Sequence, residues 1–111
     1  MIMEIKESDW KVFRRLQKVA LERFCERVLN EIRSAAGDGN DGCHDRYLKV
    51  FDLVQNRDKA IGRMFNGARR SNALVLLTNI KSEGLLTADE LAQLSPEARQ
   101  AIERVEYIRR A

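Results

Sequence analysis

The chain has one proline in 111 residues, Pro96, so neither Ser8 to Ala36 nor Cys43 to Glu83 carries the residue that most firmly ends a helix. The strong breaker cluster between those stretches is Gly37-Asp38-Gly39-Asn40-Asp41-Gly42, and two long helices joined by one loop are expected. Long apolar runs are also missing. The longest, Ala73 to Leu77, falls far short of a membrane span, and the start Met1-Ile2-Met3-Glu4-Ile5-Lys6-Glu7 is too short and too acidic for a signal peptide. With two cysteines, Cys25 in a helical pattern and Cys43 in the loop, there is no disulfide framework, and a reducing cytoplasm is the expected compartment. One histidine, His44, cannot by itself complete a closed zinc site, which takes four N or S ligands. Aromatics are 6% of residues, as expected of helices packed through Leu, Val and Ile.

What remains is a charged, helix-forming chain. Charged residues are 33% and hydrophobic ones 44%, which suits one globular domain over 1–111 with a modest core. The net charge of +3 is unevenly placed: Arg46 to Lys81 holds eight Lys/Arg against Asp52 and Asp58, a local net of +6, which leaves −3 for the remainder.

Helix 1 is expected over about 9–35, with Ser8 or Asp9 as N-cap and an apolar stripe at Trp10, Phe13, Leu16, Ala20, Leu21, Phe24, Cys25, Val28, Leu29 and Ile32. A loop at 36–43 leads to helix 2, about 44–83, whose first face is Tyr47, Val50, Phe51, Val54, Ile61, Met64, Phe65 and Ala68. After Asn72 the apolar positions Leu74, Leu76, Leu77 and Ile80 rotate onto the side that was basic, so this end needs cover on two sides. At 1.5 Å per residue helix 2 would outrun helix 1 by about 20 Å. Two short helices should cover that overhang. The first, about 88–94, follows Gly84 as helix C′ residue and a capping box of Thr87 and Glu90; the second, about 96–110, begins with Pro96 at its first turn. The expected fold is therefore all-α: a long antiparallel helical hairpin with two short C-terminal helices packed on the overhanging end of helix 2.

Leu77-x-x-Ile80-x-x-x-Gly84-Leu85-Leu86-Thr87-x-x-Glu90-Leu91 faintly resembles the short C-terminal domain called SHOCT, although the continuation Ser95-Pro96-Glu97 departs from its Lys-rich second helix. Most of the chain is similar to a group of small uncharacterised bacterial proteins. The similarity lies in Lys6-Glu7-Ser8-Asp9-Trp10-Lys11-Val12-Phe13-Arg14, the pair Arg70-Ser71, Gly84-Leu85-Leu86-Thr87 and Leu94-Ser95-Pro96-Glu97. It implies a bacterial, all-helical protein and carries no activity.

Chemistry-bearing clusters are sparse. Cys43-His44-Asp45, with Asp38 and Asp41 nearby, reads as a polar loop and helix start; a metal there would have to be shared between subunits. As a calcium loop the segment fails, because Lys49 falls where an acidic ligand is needed. Cys43 and His44 are chain neighbours and not a catalytic pair, and no phosphate loop or dinucleotide fingerprint is present. No catalytic, cofactor-binding or metal residues are assigned, and the chain is read as no enzyme. The acidic residues Glu22, Glu26, Glu31, Glu103 and Glu106, among Arg23, Arg27, Arg33 and Arg104, read as solvated pairing along helices.

Two surfaces stand out. If the long helices pair through their apolar faces, Lys11, Arg14, Arg15, Lys18, Arg63, Arg69 and Arg70 share one end of the hairpin, a patch suited to phosphate. Val12, Val19, Leu48 and Leu53 also make the stripes wider than one partner helix covers, which favours a homodimer or another protein partner. The reading is a non-enzymatic bacterial cytoplasmic interaction or regulatory module acting through helical packing, an immunity- or antitoxin-like partner among the forms it could take. The alternative is a nucleic-acid-associated accessory protein using the basic patch. No membrane association is expected.

Overall fold

In the computed structural model residues 5–37 and 39–110 are described, so the start Met1–Glu4 and the loop carboxylate Asp38 considered above lie outside the described residues. The elements are α1 Glu7–Gly37, α2 Cys43–Phe65, α3 Ala73–Ser82, α4 Ala88–Leu91 and α5 Pro96–Arg110. The fold is all-α, with α1 and α2 as an antiparallel hairpin and the C-terminal helices packed on α3. The antiparallel register is fixed along its length. The Gln17 amide donates to the Phe65 carbonyl at 3.2 Å, Arg57 donates twice to Glu31 at 2.7 and 3.1 Å, and Arg46 donates to the Ala36 carbonyl at 2.8 Å.

The expected helix over 44–83 is two helices. α2 ends at Phe65, Asn66 is extended, and Gly67 takes φ +69°, a conformation costly for a residue with a Cβ. Asn72 holds the resulting turn: its amide donates to the Gly67 carbonyl at 2.8 Å, and its side-chain oxygen accepts from the Arg69 N–H at 2.8 Å. The carbonyls left free at the end of α2 find side chains, Gln17 on Phe65 and Asn79 at 3.5 Å on Arg63. Nothing overhangs. The chain reverses at 66–72, and α3 runs back parallel to the first half of α1, which explains why the apolar face rotates after Asn72.

One end of the molecule is a packed body. Phe13 and Leu16 of α1 meet Ala73, Leu74 and Leu77 of α3 and Leu94, Ala98, Ala101 and Ile102 of the C-terminal segment. Ala20 and Phe24 meet Met64, Ile80 and Leu85 in a second cluster. Val75, on the opposite side of α3, is 44% exposed. The end of α3 is closed as expected: Gly84 has φ +71°, its N–H reaches the Lys81 carbonyl, and the Leu85 N–H reaches the Ile80 carbonyl. Leu85 and Ile80 also share a core cluster, the apolar contact that accompanies this motif.

The capping box of Thr87 and Glu90 is present on α4, which is a single turn and not the helix to 94 expected. Its Glu90 does more than cap. Arg23 of α1 donates to both Glu90 oxygens, at 2.6 and 2.9 Å, and to the Leu85 carbonyl at 2.8 Å. The Arg23 guanidinium, helped by the Thr87 N–H, lowers the Glu90 carboxyl from 4.5 to about 2. Because the folded value lies below the unfolded one, this contribution is complete above pH 4.5 and is lost as pH falls toward 2. The thermal midpoint should therefore drop across that window, and Glu90→Gln, which can still reach back to the Thr87 N–H, should show a flatter drop. An unchanged slope would assign the acid sensitivity to other groups.

Asp9 corrects another expectation. α1 begins at Glu7, so Asp9 lies inside it, 3% exposed, and does not cap it. Its carboxylate instead accepts from the Ser95 N–H at 2.8 Å and the Ser95 hydroxyl at 2.6 Å. Ser95 Oγ in turn accepts from the Ala98 N–H at 3.2 Å, at the start of α5. One buried carboxylate thus fixes where the last helix docks on the first.

Candidate functional site

The far half of the hairpin is built differently from the body. The molecule measures 52 × 27 × 23 Å, and every buried residue lies within 5–24, 64–85 or 94–102. From Cys25 to Arg63 no described residue is buried. This arm comprises the second half of α1, the connecting loop and most of α2. Five of its large apolar side chains stand in water: Leu29, Tyr47, Leu48, Phe51 and Val54 are all exposed, Tyr47 by 63%. Tyr47 and Phe51 stack at 6.4 Å between ring centroids. Val12, Val19 and Leu53, expected to share this fate, are partly buried, Val12 against the core.

Helical geometry sorts the arm into two sides. α2 faces α1 through the half-buried positions Arg46, Val50, Leu53, Arg57 and Ala60, three or four residues apart. With about 100° per residue and antiparallel axes, Tyr47, Phe51 and Val54 turn to the same side of the hairpin as Leu29. Arg27, Glu31, Asn56, Lys59 and Arg63 turn to the other. That second side holds an open groove of about 490 Å³. In it Glu31 is gripped by Arg57, and Arg27 lies 3.6 Å from Glu83. The Arg57 guanidinium lowers the Glu31 carboxyl, and the carboxylate raises Arg57 in return. Lys59 and Arg63 add positive charge to the groove wall.

The seven cations expected to share one end are all exposed. Arg14 and Arg70 flank the Trp10 ring, 5.8 and 5.9 Å from its centroid, as the antiparallel register requires. Arg70 is also ion-paired with Glu7, and Arg15 donates to Gln93. Arg63 lies elsewhere, in the groove wall beside Lys59, because α2 ends at Phe65 and the chain turns away. Lys11, Lys18 and Arg69 are exposed on the surface. Carboxylates expected to pair along their own helices pair across elements instead, Glu31 with Arg57 and Glu106 with Lys81.

Cys43, His44 and Asp45 form the exposed first turn of α2, where Cys43 Sγ accepts from Arg46 at 3.3 Å. Among the described residues no three His, Cys, Asp or Glu side chains gather closely enough to hold a metal ion. None of the described helices is long and apolar enough to cross a membrane. No protein-family model matches the chain, and neither do curated proteins nor solved structures.

Proposed function

We propose that this chain is a non-enzymatic interaction module of the bacterial cytoplasm whose working surface is the apolar side of the arm. The observation that carries the reading is the contrast within one hairpin: a body with a closed core, and an arm in which no described residue is buried and which exposes Tyr47, Leu48, Phe51, Val54 and Leu29. Two helices paired alone gain little from burial, and a contiguous apolar face of this kind marks an interaction surface. An amphipathic helix laid along α2 is the form of partner that such a face accepts. The nucleic-acid reading draws less support, since Arg70 is ion-paired with Glu7 and Arg63 lines the groove beside Glu31 and Glu83.

A photo-crosslinking amino acid at position 51, compared with one at exposed position 103 on α5, tests the reading in producing cells. Position 51 should give a discrete protein adduct, with this chain or another, and position 103 should not. Equal labelling at both positions, or none at 51, would sink the proposal.

A further inference from the structure

Within this reading of the arm, we infer that the partner helix is α2 of a second copy, packed antiparallel about a two-fold axis at Phe51. The stripe is symmetric in sequence about that residue. Leu48 and Val54 lie three positions to either side of Phe51, Tyr47 and Gln55 four, and His44 and Asp58 seven. Seven residues are two helical turns to within about 20°, and three or four residues are one turn to within about 60°, so all seven side chains share one face. A two-fold axis at Phe51, perpendicular to both helices, sets Phe51 against the partner's Phe51 and, because it keeps each flank of the helix on its own side, Tyr47 against the partner's Val54. Leu48 then packs on the aliphatic stem of the partner's Gln55 on the other flank.

The ends of the stripe carry the polar complementarity. His44 falls against the partner's Asp58, and the symmetry makes this contact twice. A parallel arrangement would oppose His44 to His44 and Asp58 to Asp58, so the chain is complementary to itself in one direction only. The apolar centre with polar ends also has the anatomy of an interface core and rim. Leu29 opens to the same side and adds α1 to the contact. The exposed parts of the five large apolar side chains amount to about 500 Å² per copy, so two copies would remove about 1,000 Å² from water, the lower bound for a specific interface. The contact is isologous and closes on itself, giving a dimer and not a fibre.

The purified wild-type chain, followed by size exclusion with light scattering, should approach twice its 12.8 kDa mass as concentration rises through the micromolar range. In a background with Cys25→Ala and Cys43→Ala, Phe51→Cys should oxidise to a disulfide-linked dimer, since only a residue on the axis meets itself. His44→Asp puts two carboxylate pairs at the rim and should weaken association about tenfold, and adding Asp58→His should restore it. His44 and Asp58 are both exposed, so helicity should be unchanged in these variants. A chain that stays monomeric overturns the inference. A dimer that neither cross-links at 51 nor responds to the His44/Asp58 exchange does so as well. A monomeric purified chain whose position 51 cross-links to another protein in cells would overturn the second copy and leave the arm reading standing.

Discussion

Deleting residues 87–111 should abolish the cooperative thermal transition. Leu94, Ala98, Ala101 and Ile102 are each at most 4% exposed and share a core with Phe13, Leu16 and Leu77. Their removal forfeits their own burial and opens Leu74, Leu76 and Leu77 to water. At about 25 cal/mol per Å², losing several buried aliphatic side chains costs about 5–10 kcal/mol, as much as the whole stability of many domains. Arg23 would lose Glu90 and Asp9 would lose Ser95 in the same step. Circular dichroism during heating should show a shallow loss of residual helix, and the protein should aggregate. A truncated chain that keeps the wild-type midpoint would mean that α1, α2 and α3 are self-sufficient.

Asp9→Ala should be the most damaging single polar substitution, at about 2–4 kcal/mol, because it removes the acceptor of two hydrogen bonds to a buried charge and leaves the Ser95 N–H without a partner. For a domain near 100 residues that lowers the melting temperature by roughly 10 °C or more. Asp9→Asn keeps an acceptor for the Ser95 N–H and should cost about half as much. Since Asp9 and Ser95 act as a unit, combining Asp9→Ala with Ser95→Ala should cost clearly less than the sum of the two. Full additivity, or an Asp9→Ala variant within 0.5 kcal/mol of wild type by urea denaturation, would show that the contact does not fasten α5.

The contrast between these residues and the capping chemistry shows what a sequence can carry. Gly84 at C′, the Thr87–Glu90 box and Pro96 at the start of α5 are local: each satisfies backbone groups within a few residues, so spacing alone reveals them. Asp9 and Ser95 are 86 residues apart, and nothing near Asp9 distinguishes a buried clamp from a helix cap. The break in the second helical stretch had a local signal, Asn66-Gly67, followed by the rotated apolar face after Asn72. Apolar spacing is regular up to Phe65, and an overhang accounts for the rotation as well as a reversal does. The same break leaves Arg63 on α2 and puts Arg70 in the turn that follows it. The exposed stripe on α2 was legible as apolar spacing, but only the burial pattern separates the part that packs from the part that does not.

The division between body and arm also separates the optical reporters of this chain. Trp10, the only tryptophan, is stacked on Phe13 at 5.3 Å and held between Arg14 and Arg70, so its emission reports the turn at 66–72 closing on the start of α1. Tyr47 sits in the arm, and the second tyrosine, Tyr107, lies near the exposed end of α5. Far-ultraviolet dichroism, by contrast, weighs every helical residue, and the arm contributes much of that signal. Tryptophan emission and dichroism therefore follow different parts of one molecule, and the gap between their transitions measures how independently the arm frays from the body it grows out of.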